Sequence, residues 1–274
     1  MKIAGVVILY NPPKGVYNNI MTYYPHLDVV YVLDNSEKIN QELINRLKKL
    51  SKVKYISHGE NLGISYSLNE TLKLVKDQYQ WLLTMDQDSS FKKGMLVDYL
   101  KCLDEIPNGV YGLTSVLETE RLASDEKLKV VDGCITSGNL INVGIALEVH
   151  GFDENLFIDE VDYDFCYKCN NHGYKLLAYQ KRIMNHVIGD PVVFNFLGRR
   201  IYSMNHSYIR DYYIIRNRLY VSEKYPQIRK KYVVKSIKEI IIMMLAEKDR
   251  LRKMRFIIKG LWDYKRRKMG KLSV

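Results

Sequence analysis

Three short, uninterrupted apolar runs constrain this chain most: Ile3-Ala4-Gly5-Val6-Val7-Ile8-Leu9, Val29-Val30-Tyr31-Val32-Leu33 and Trp81-Leu82-Leu83-Thr84-Met85. Each stops abruptly at polar residues. Runs of this length without a polar alternation suit strands buried on both faces, the setting of a parallel sheet. Helical stretches are expected between and after them, at 16–24, at 39–50, where Leu43, Ile44, Leu47 and Leu50 recur at three- and four-residue spacing, and at 68–75. Strand and helix in alternation predict crossover units and one sheet covered on both faces. In such sheets ligands bind beyond the carboxyl ends of the strands, which is where Tyr10, Asp34 and Asp86 fall.

The third run ends in Asp86-Gln87-Asp88. Side chains two apart on a strand point the same way, so a strand continued to Asp88 presents both carboxylates together. A hard cation such as Mg2+ takes one or two carboxylates and keeps sites for phosphate oxygens. Asp-x-Asp is common in ordinary turns, so the motif gains meaning only from its surroundings.

Those surroundings form an ordered set: Val6-Val7-Ile8-Leu9-Tyr10-Asn11, Asp34-Asn35-Ser36, Glu60-Asn61-Leu62-Gly63-Ile64, Asp86-Gln87-Asp88, Thr136-Ser137-Gly138-Asn139-Leu140-Ile141, Gly151-Phe152-Asp153-Glu154, Phe157-Ile158-Asp159-Glu160-Val161-Asp162-Tyr163-Asp164-Phe165 and Asn185-His186. Together they resemble the inverting family 2 glycosyltransferases, and most closely their rhamnosyltransferase-like branch, over residues 2–220. The resemblance implies an α/β fold of the GT-A (nucleotide-diphospho-sugar transferase) type, with a mostly parallel central sheet flanked by helices. It divides the chain into a catalytic domain at 1–220, with a nucleotide-binding half at 1–90 and an acceptor half at 91–220, and a basic helical tail at 221–274.

The resemblance also implies roles. Tyr10 stacks on the nucleobase and Asp34 accepts its imide N–H, an acceptor-only group facing a donor. Asn61 and Gly63 open a helix whose free N–H groups suit a ribose-phosphate, with a plain Asn cap and turn glycine as the alternative. Asp86 and Gln87 meet the nucleotide sugar, and Asp86 and Asp88 hold Mg2+ or Mn2+. His186 is a further candidate ligand, one better suited to Mn2+. Ser137, Gly138 and Asn139 line the acceptor side. Asp162 is the general base, although Val161 stands where many relatives carry Glu. Arg210 and Arg216 are additional phosphate candidates, the alternative being a solvated or ion-paired helix face. Asp159, Glu160, Asp162 and Asp164 crowd into six residues, and this density of like charge is expected to raise at least one carboxyl pKa. The donor implied is a dTDP- or UDP-linked sugar, with dTDP-L-rhamnose favoured, and the acceptor a growing, lipid-linked glycan of a bacterial surface polysaccharide.

Charge is distributed unevenly. From Arg229 to Val274 there are 16 Lys and Arg against 4 Asp and Glu, and before Arg229 there are 26 against 27. The whole net positive charge therefore belongs to the tail. Within it Val233, Val234, Ile237, Ile240, Ile241, Met244 and Leu245, then Leu251, Met254, Ile258, Leu261 and Trp262, recur at helical spacing among Lys and Arg. Such basic amphipathic helices either pack on the catalytic domain or meet an anionic membrane surface. No apolar run approaches the roughly 20 residues needed to span a bilayer, and the chain enters a strand at Ile3, so a cytoplasmic protein, peripheral on the inner face of the membrane, is expected.

A basic nucleic-acid-binding protein with a nuclease-type Asp-x-Asp is the alternative class. It is disfavoured because the site-bearing part of the chain is neutral to acidic and the tyrosines are scattered through apolar patterns. Cys166-x-x-Cys169 has neither a second pair nor a paired His to complete a zinc site, so reduced, half-buried thiols one helical turn apart are expected.

Overall fold

The computed structural model describes residues 1–117, 126–185, 192–196 and 199–273. The chain divides into an α/β unit, Met1–Glu154 with Val161–Val187, and a helical unit, Asn155–Glu160 with Ile188–Val274. The helix over Tyr208–Lys224 thus groups with the segments after it, although the family resemblance runs on to Tyr220.

In the α/β unit the strands are β1 (Ile3–Leu9), β2 (Val29–Asp34), β3 (Val53–Ser57), β4 (Trp81–Asp86), β5 (Ser90–Phe91), β6 (Val110–Ser115), β7 (Leu128–Val131), β8 (Asn139–Asn142), β9 (Lys175–Tyr179) and β10 (Met184–Asn185). Eight of them form one sheet in the order β3-β2-β1-β4-β8-β6-β9-β7, and β5 pairs with β10. The first four strands of that order are mutually parallel, β8 runs antiparallel to both its neighbours, and β6 and β9 are parallel again. The helices are α1 (Val16–Met21), α2 (Gln41–Leu47), α3 (Ile64–Val75), α4 (Met95–Lys101), α5 (Val143–Glu148) and α6 (Val161–Asn171).

Local chemistry sets the bounds. The stretch expected to be helical to residue 24 stops at Met21, and a 3-10 turn over Tyr24–His26, with Pro25 in its first turn, takes over. Asn40 Oδ1 accepts the Leu43 N–H at 3.1 Å and starts α2 there, later than the apolar spacing suggests. α3 begins four residues earlier than expected, directly after Gly63. The core joins Val7, Leu9, Val30, Val32, Leu83 and Met85 of the strands to Val16 and Ile20 of α1, Leu43 and Leu47 of α2 and Tyr99 of α4. Each buried Val or Leu there contributes about 1.5–3 kcal/mol.

The helical unit holds β11 (Val192–Phe196) paired with β12 (Arg199–Ser203), then α7 (Tyr208–Lys224), α8 (Arg229–Ala246) and α9 (Arg250–Lys265). α7 and α9 approach closely at Gly260, where a Cβ would stand 2.7 Å from the Tyr212 carbonyl oxygen. Ile215, Met243 and Ile257 form a small core shared by the three helices. The tail helices therefore pack on one face, and they also leave an apolar face bare: Val234, Ile237, Ile241 and Leu245 of α8 and Leu251, Ile258 and Trp262 of α9 are exposed.

A cavity of about 310 Å3 in this unit is lined by His206, Asp211, Arg218, Ile240, Met243 and Ile257, among others. Burial pushes the Asp211 carboxyl up to about 7 and holds the His206 imidazole down at about 4. For Asp211 the folded protein keeps a proton that the unfolded chain has already released at about pH 4. Stability therefore declines as pH rises from there to about 7. Asp211→Asn is expected to raise the unfolding temperature more at pH 8 than at pH 5; an equal change at both, measured by calorimetry, contradicts the assignment.

Candidate functional site

β1 lies between β2 and β4, both parallel to it, with Leu9 opposite Asp34 and Ile8 opposite Asp86. The carboxyl ends of three neighbouring strands therefore bring Tyr10, Asp34 and Asp86 to one edge, as the apolar runs predict. Tyr10 is 44% exposed. Its backbone is fixed by Gln87, whose Oε1 accepts the Tyr10 N–H at 3.0 Å and whose Nε2 donates to the Tyr10 carbonyl at 3.1 Å. Asn19 Nδ2 donates to the Gln87 carbonyl at 3.0 Å. The Gln87 amide thus prolongs the pairing of β1 and β4 past their ends, and its side chain serves to place Tyr10.

Asp34 is buried, 1% exposed. Its Oδ1 accepts the Ser36 N–H at 2.9 Å and its Oδ2 accepts the Tyr55 hydroxyl at 2.8 Å. Each carboxylate oxygen retains a further lone pair. Burial, then the hydrogen bond to Asp34, pushes the Tyr55 hydroxyl well above its ordinary pKa, so it stays a donor. Ser36 Oγ in turn accepts the Asn11 N–H at 2.8 Å, and Asn35 Nδ2 donates to the Gly63 carbonyl at 3.2 Å. Tyr55 and Ser36 were missed as site residues by sequence reasoning. Only the position of Tyr55 near the end of a strand run could have marked it. Asn61 Oδ1 accepts the Gly63 N–H at 3.0 Å, and Gly63, at φ +89°, opens α3. That is the turn chemistry of the cap reading.

β4 ends at Asp86, and Gln87 and Asp88 belong to the turn that follows. The expectation that strand alternation aligns the two carboxylates is therefore corrected: Asp88 is carried by the turn, where its Oδ1 accepts from Ser89 Oγ at 3.4 Å. Among the described residues no three His, Cys, Asp or Glu side chains gather as a metal cage. One hard carboxylate at the strand end and one in the turn after it are a donor set of the type Mg2+ or Mn2+ takes, binding through one or two protein oxygens with phosphate and water completing the shell. His186 lies outside the described residues.

The loop before β8 is tied to the same strand. Ser137 Oγ accepts the Asp86 N–H at 3.2 Å, the Gly138 N–H donates to the Thr84 carbonyl at 2.8 Å, and the Tyr99 hydroxyl donates to the Gly138 carbonyl at 2.8 Å. Gly138 has φ +75°, and a Cβ there would meet Met184 Sδ at 3.0 Å. Ser137 and Asn139 are both buried, so any acceptor role runs through the shape they give the loop.

The acidic cluster is split. Asp162 stands in the first turn of α6, partly exposed, with Oδ1 accepting the Tyr163 N–H at 2.9 Å. Asp164 is fully buried. Asp159 and Glu160 belong to the helical unit, paired there with Arg210 and Arg218. The raised carboxyl the crowding predicts is found at Asp159, but burial is its main cause, with Glu160 a small contributor against the opposing pull of Arg210. Arg210 is thus an ion-paired helix residue. Arg216 is a core residue, 1% exposed, donating to Asn217 Oδ1 and the Tyr212 hydroxyl, with its guanidinium over the Tyr212 and Tyr213 rings. Cys166 and Cys169 are fully buried rather than half-buried, and Cys134 Sγ lies 3.8 Å from Cys166 Sγ.

Residues 13–130 match the family described as glycosyl transferase family 2. That span of the chain is thus similar to the glycosyl transferase family 2 domain. The matched span carries Asp34, Asn61, Gly63 and Asp86 to Asp88, the strand-end part of the site. The chain is also similar to the dTDP-rhamnosyl transferase RfbF of Shigella flexneri, 26% identical over 272 residues, covering 89% of this chain and 86% of that one. In fold it resembles S. aureus TarS 1–349 in complex with UDP-GlcNAc, with a TM-score of 0.58, 14% identity, and coverage of 96% of this chain and 80% of that one. Against S. aureus TarS 1–349 in complex with UDP the TM-score is 0.53 at 13% identity, covering 96% of this chain and 72% of that one. Against a longer TarS chain it is 0.53 at 14% identity, covering 95% of this chain but only 43% of that one. The GT-A architecture of the chain is thereby shown, with a helical C-terminal region. No helix among the described residues is long and apolar enough to cross a membrane.

Proposed function

We propose that this chain is a family 2 glycosyltransferase that inverts the sugar it moves, taking L-rhamnose from dTDP-L-rhamnose to a hydroxyl of a bacterial surface-polysaccharide intermediate. The observation that carries the reading is the meeting of Tyr10, Asp34 and Asp86 at the carboxyl ends of three neighbouring parallel strands. Similarity to a dTDP-rhamnosyl transferase supports the donor.

In this reading the Tyr10 ring stacks on the base and Asp34, steadied by Tyr55 and Ser36, accepts the imide N–H. Asn61 and Gly63 present helix N–H groups to the ribose-phosphate. Asp162 takes the proton of the acceptor hydroxyl, and the oxygen bonds to the anomeric carbon on the face opposite the diphosphate as the carbon–diphosphate bond breaks. Asp86 and Asp88 would hold Mg2+ or Mn2+, which when bound supplies positive charge against the leaving diphosphate. A panel of dTDP- and UDP-sugars tested on cell-envelope glycan primers, scored by mass shift, is expected to show a deoxyhexose added from dTDP-L-rhamnose. Transfer from none of them rejects the reading.

The acceptor is taken to be lipid-linked and the helical unit to meet the cytoplasmic membrane surface. The support is the bare apolar face of α8 and α9 beside Lys230, Lys231, Lys235, Lys238, Arg252 and Arg255. Each Lys or Arg near an anionic surface contributes about 1 kcal/mol, and buried apolar area about 25 cal/mol per Å2. The protein is expected to float with phosphatidylglycerol vesicles at low salt and to be released by salt. Ile241→Glu with Trp262→Glu should cut that binding at least tenfold without unfolding the chain. Undiminished flotation of the double variant removes the membrane from the account.

A further inference from the structure

The cavity of about 310 Å3 is built wholly within the helical unit, by the end of β12 and the residues after it, by α7 and α8, and by Ile257 of α9. Its volume is at the lower end of the range for small-molecule sites, and its walls are largely apolar, with Ile214 and Ile215 from α7 and Ile240, Ile242 and Met243 from α8. Most of the charge inside is already spent within the unit. Arg218 donates to Glu160 Oε1 at 3.1 Å, pairs with Glu239 and reaches Ser236 Oγ at 3.4 Å. Glu247 accepts from Ser203 Oγ and from Lys253 Nζ. Burial holds both His206 and Asp211 toward their neutral forms.

The two other charged groups in the lining are Lys235 and Lys238, both exposed. Tyr202 and Met204 line the cavity as well and are also exposed, so it reaches solvent at residues that are apolar or cationic. Apolar walls give nothing to a bare inorganic anion, and two ammonium groups repel a cation. A chain with an anionic end suits both features. We infer that this cavity takes the chain of a single-chain anionic amphiphile, an alkyl phosphate in chemical class, with its phosphate held at Lys235 and Lys238. The membrane surface proposed for this unit is the source, and only the origin of the ligand rests on that reading. Ile241 and Trp262, which belong to the bare apolar face, are not part of the cavity lining, so adsorption to a surface and uptake of a chain can be told apart.

The test is a calorimetric titration of the full-length protein with octyl and decyl phosphate, each kept below the concentration at which it forms micelles. Each methylene that enters the cavity is expected to tighten binding about fourfold, so the two added in decyl phosphate give about sixteenfold. Inorganic phosphate alone should give no binding. Lys235→Glu with Lys238→Glu is expected to weaken decyl phosphate about tenfold or more at an unchanged unfolding temperature, since both side chains are exposed. Ile214→Trp, which fills the cavity, should abolish the advantage of decyl over octyl phosphate; if that variant does not fold, the lysine pair alone decides. Ile241→Glu with Trp262→Glu should keep the wild-type affinity for decyl phosphate. Equal affinity for the two chain lengths, wild-type affinity in the lysine variant, or loss of decyl phosphate binding in Ile241→Glu with Trp262→Glu overturns the inference. Vesicle flotation separates the two readings. A wild type that binds decyl phosphate but does not float leaves the cavity site standing and removes the membrane, whereas one that floats but binds no decyl phosphate removes the cavity site alone.

Discussion

Replacing Asp162 by Asn is expected to lower turnover by about 100- to 10,000-fold, the range for loss of a general base, while leaving donor affinity close to that of the wild type. The expectation follows from where the side chain stands. It is partly exposed in the first turn of α6 and replaceable by an isosteric amide without disturbing the core. Asp164, two residues on, is fully buried, so Asp164→Asn acts through folding and should be judged by its unfolding temperature as well as its rate. A variant at Asp162 that transfers sugar as fast as the wild type refutes the assignment, and so does one whose loss of activity equals its loss of folded protein.

Asp88→Ala is expected to weaken nucleoside diphosphate binding and lower turnover by about 100-fold or more, because it removes a hard oxygen donor from the place where the diphosphate needs positive charge. The effect should be local, since Asp88 lies exposed in a turn and accepts a hydrogen bond from its neighbour Ser89. Chelation of the wild type should reproduce the variant, and added Mn2+ should restore the chelated wild type but not Asp88→Ala. Binding of dTDP measured by calorimetry gives a readout independent of catalysis. Full activity in excess chelator excludes the metal role of this pair.

The strand half of the site was legible because its signal is local. An apolar run that stops at a polar residue marks both a buried strand and its carboxyl end, so Tyr10, Asp34 and Asp86 could be placed from the chain alone. What holds them is not local. Tyr55 acts on Asp34 across 21 residues and Gln87 on Tyr10 across 77, and nothing in either neighbourhood announces the partner. The alternation rule also misled at Asp88, since a rule for strands says nothing once the strand has ended. In the acidic cluster, composition showed four carboxylates in six residues but not their separate fates. Asp159 and Glu160 answer to arginines 51 and 58 residues later, Asp164 is buried, and only Asp162 is left partly open at the helix start.

The short excursion of Asn155–Glu160 into the helical unit also bears on how such a protein can diversify. An appended module joined by a single linker can be exchanged between proteins by one crossover in the gene. Here the C-terminal helices grip six residues from the middle of the chain, with Phe157 stacked on Tyr213 and the Gly270 N–H bonded to the Asn155 carbonyl. A foreign C-terminal region would arrive without the partners those six residues require, and would strand Glu160 without its arginine. Recombination at 187/188 should therefore yield folded hybrids only when residues 155–160 travel with the donor of the tail, so that two separated stretches of the gene are inherited as one trait.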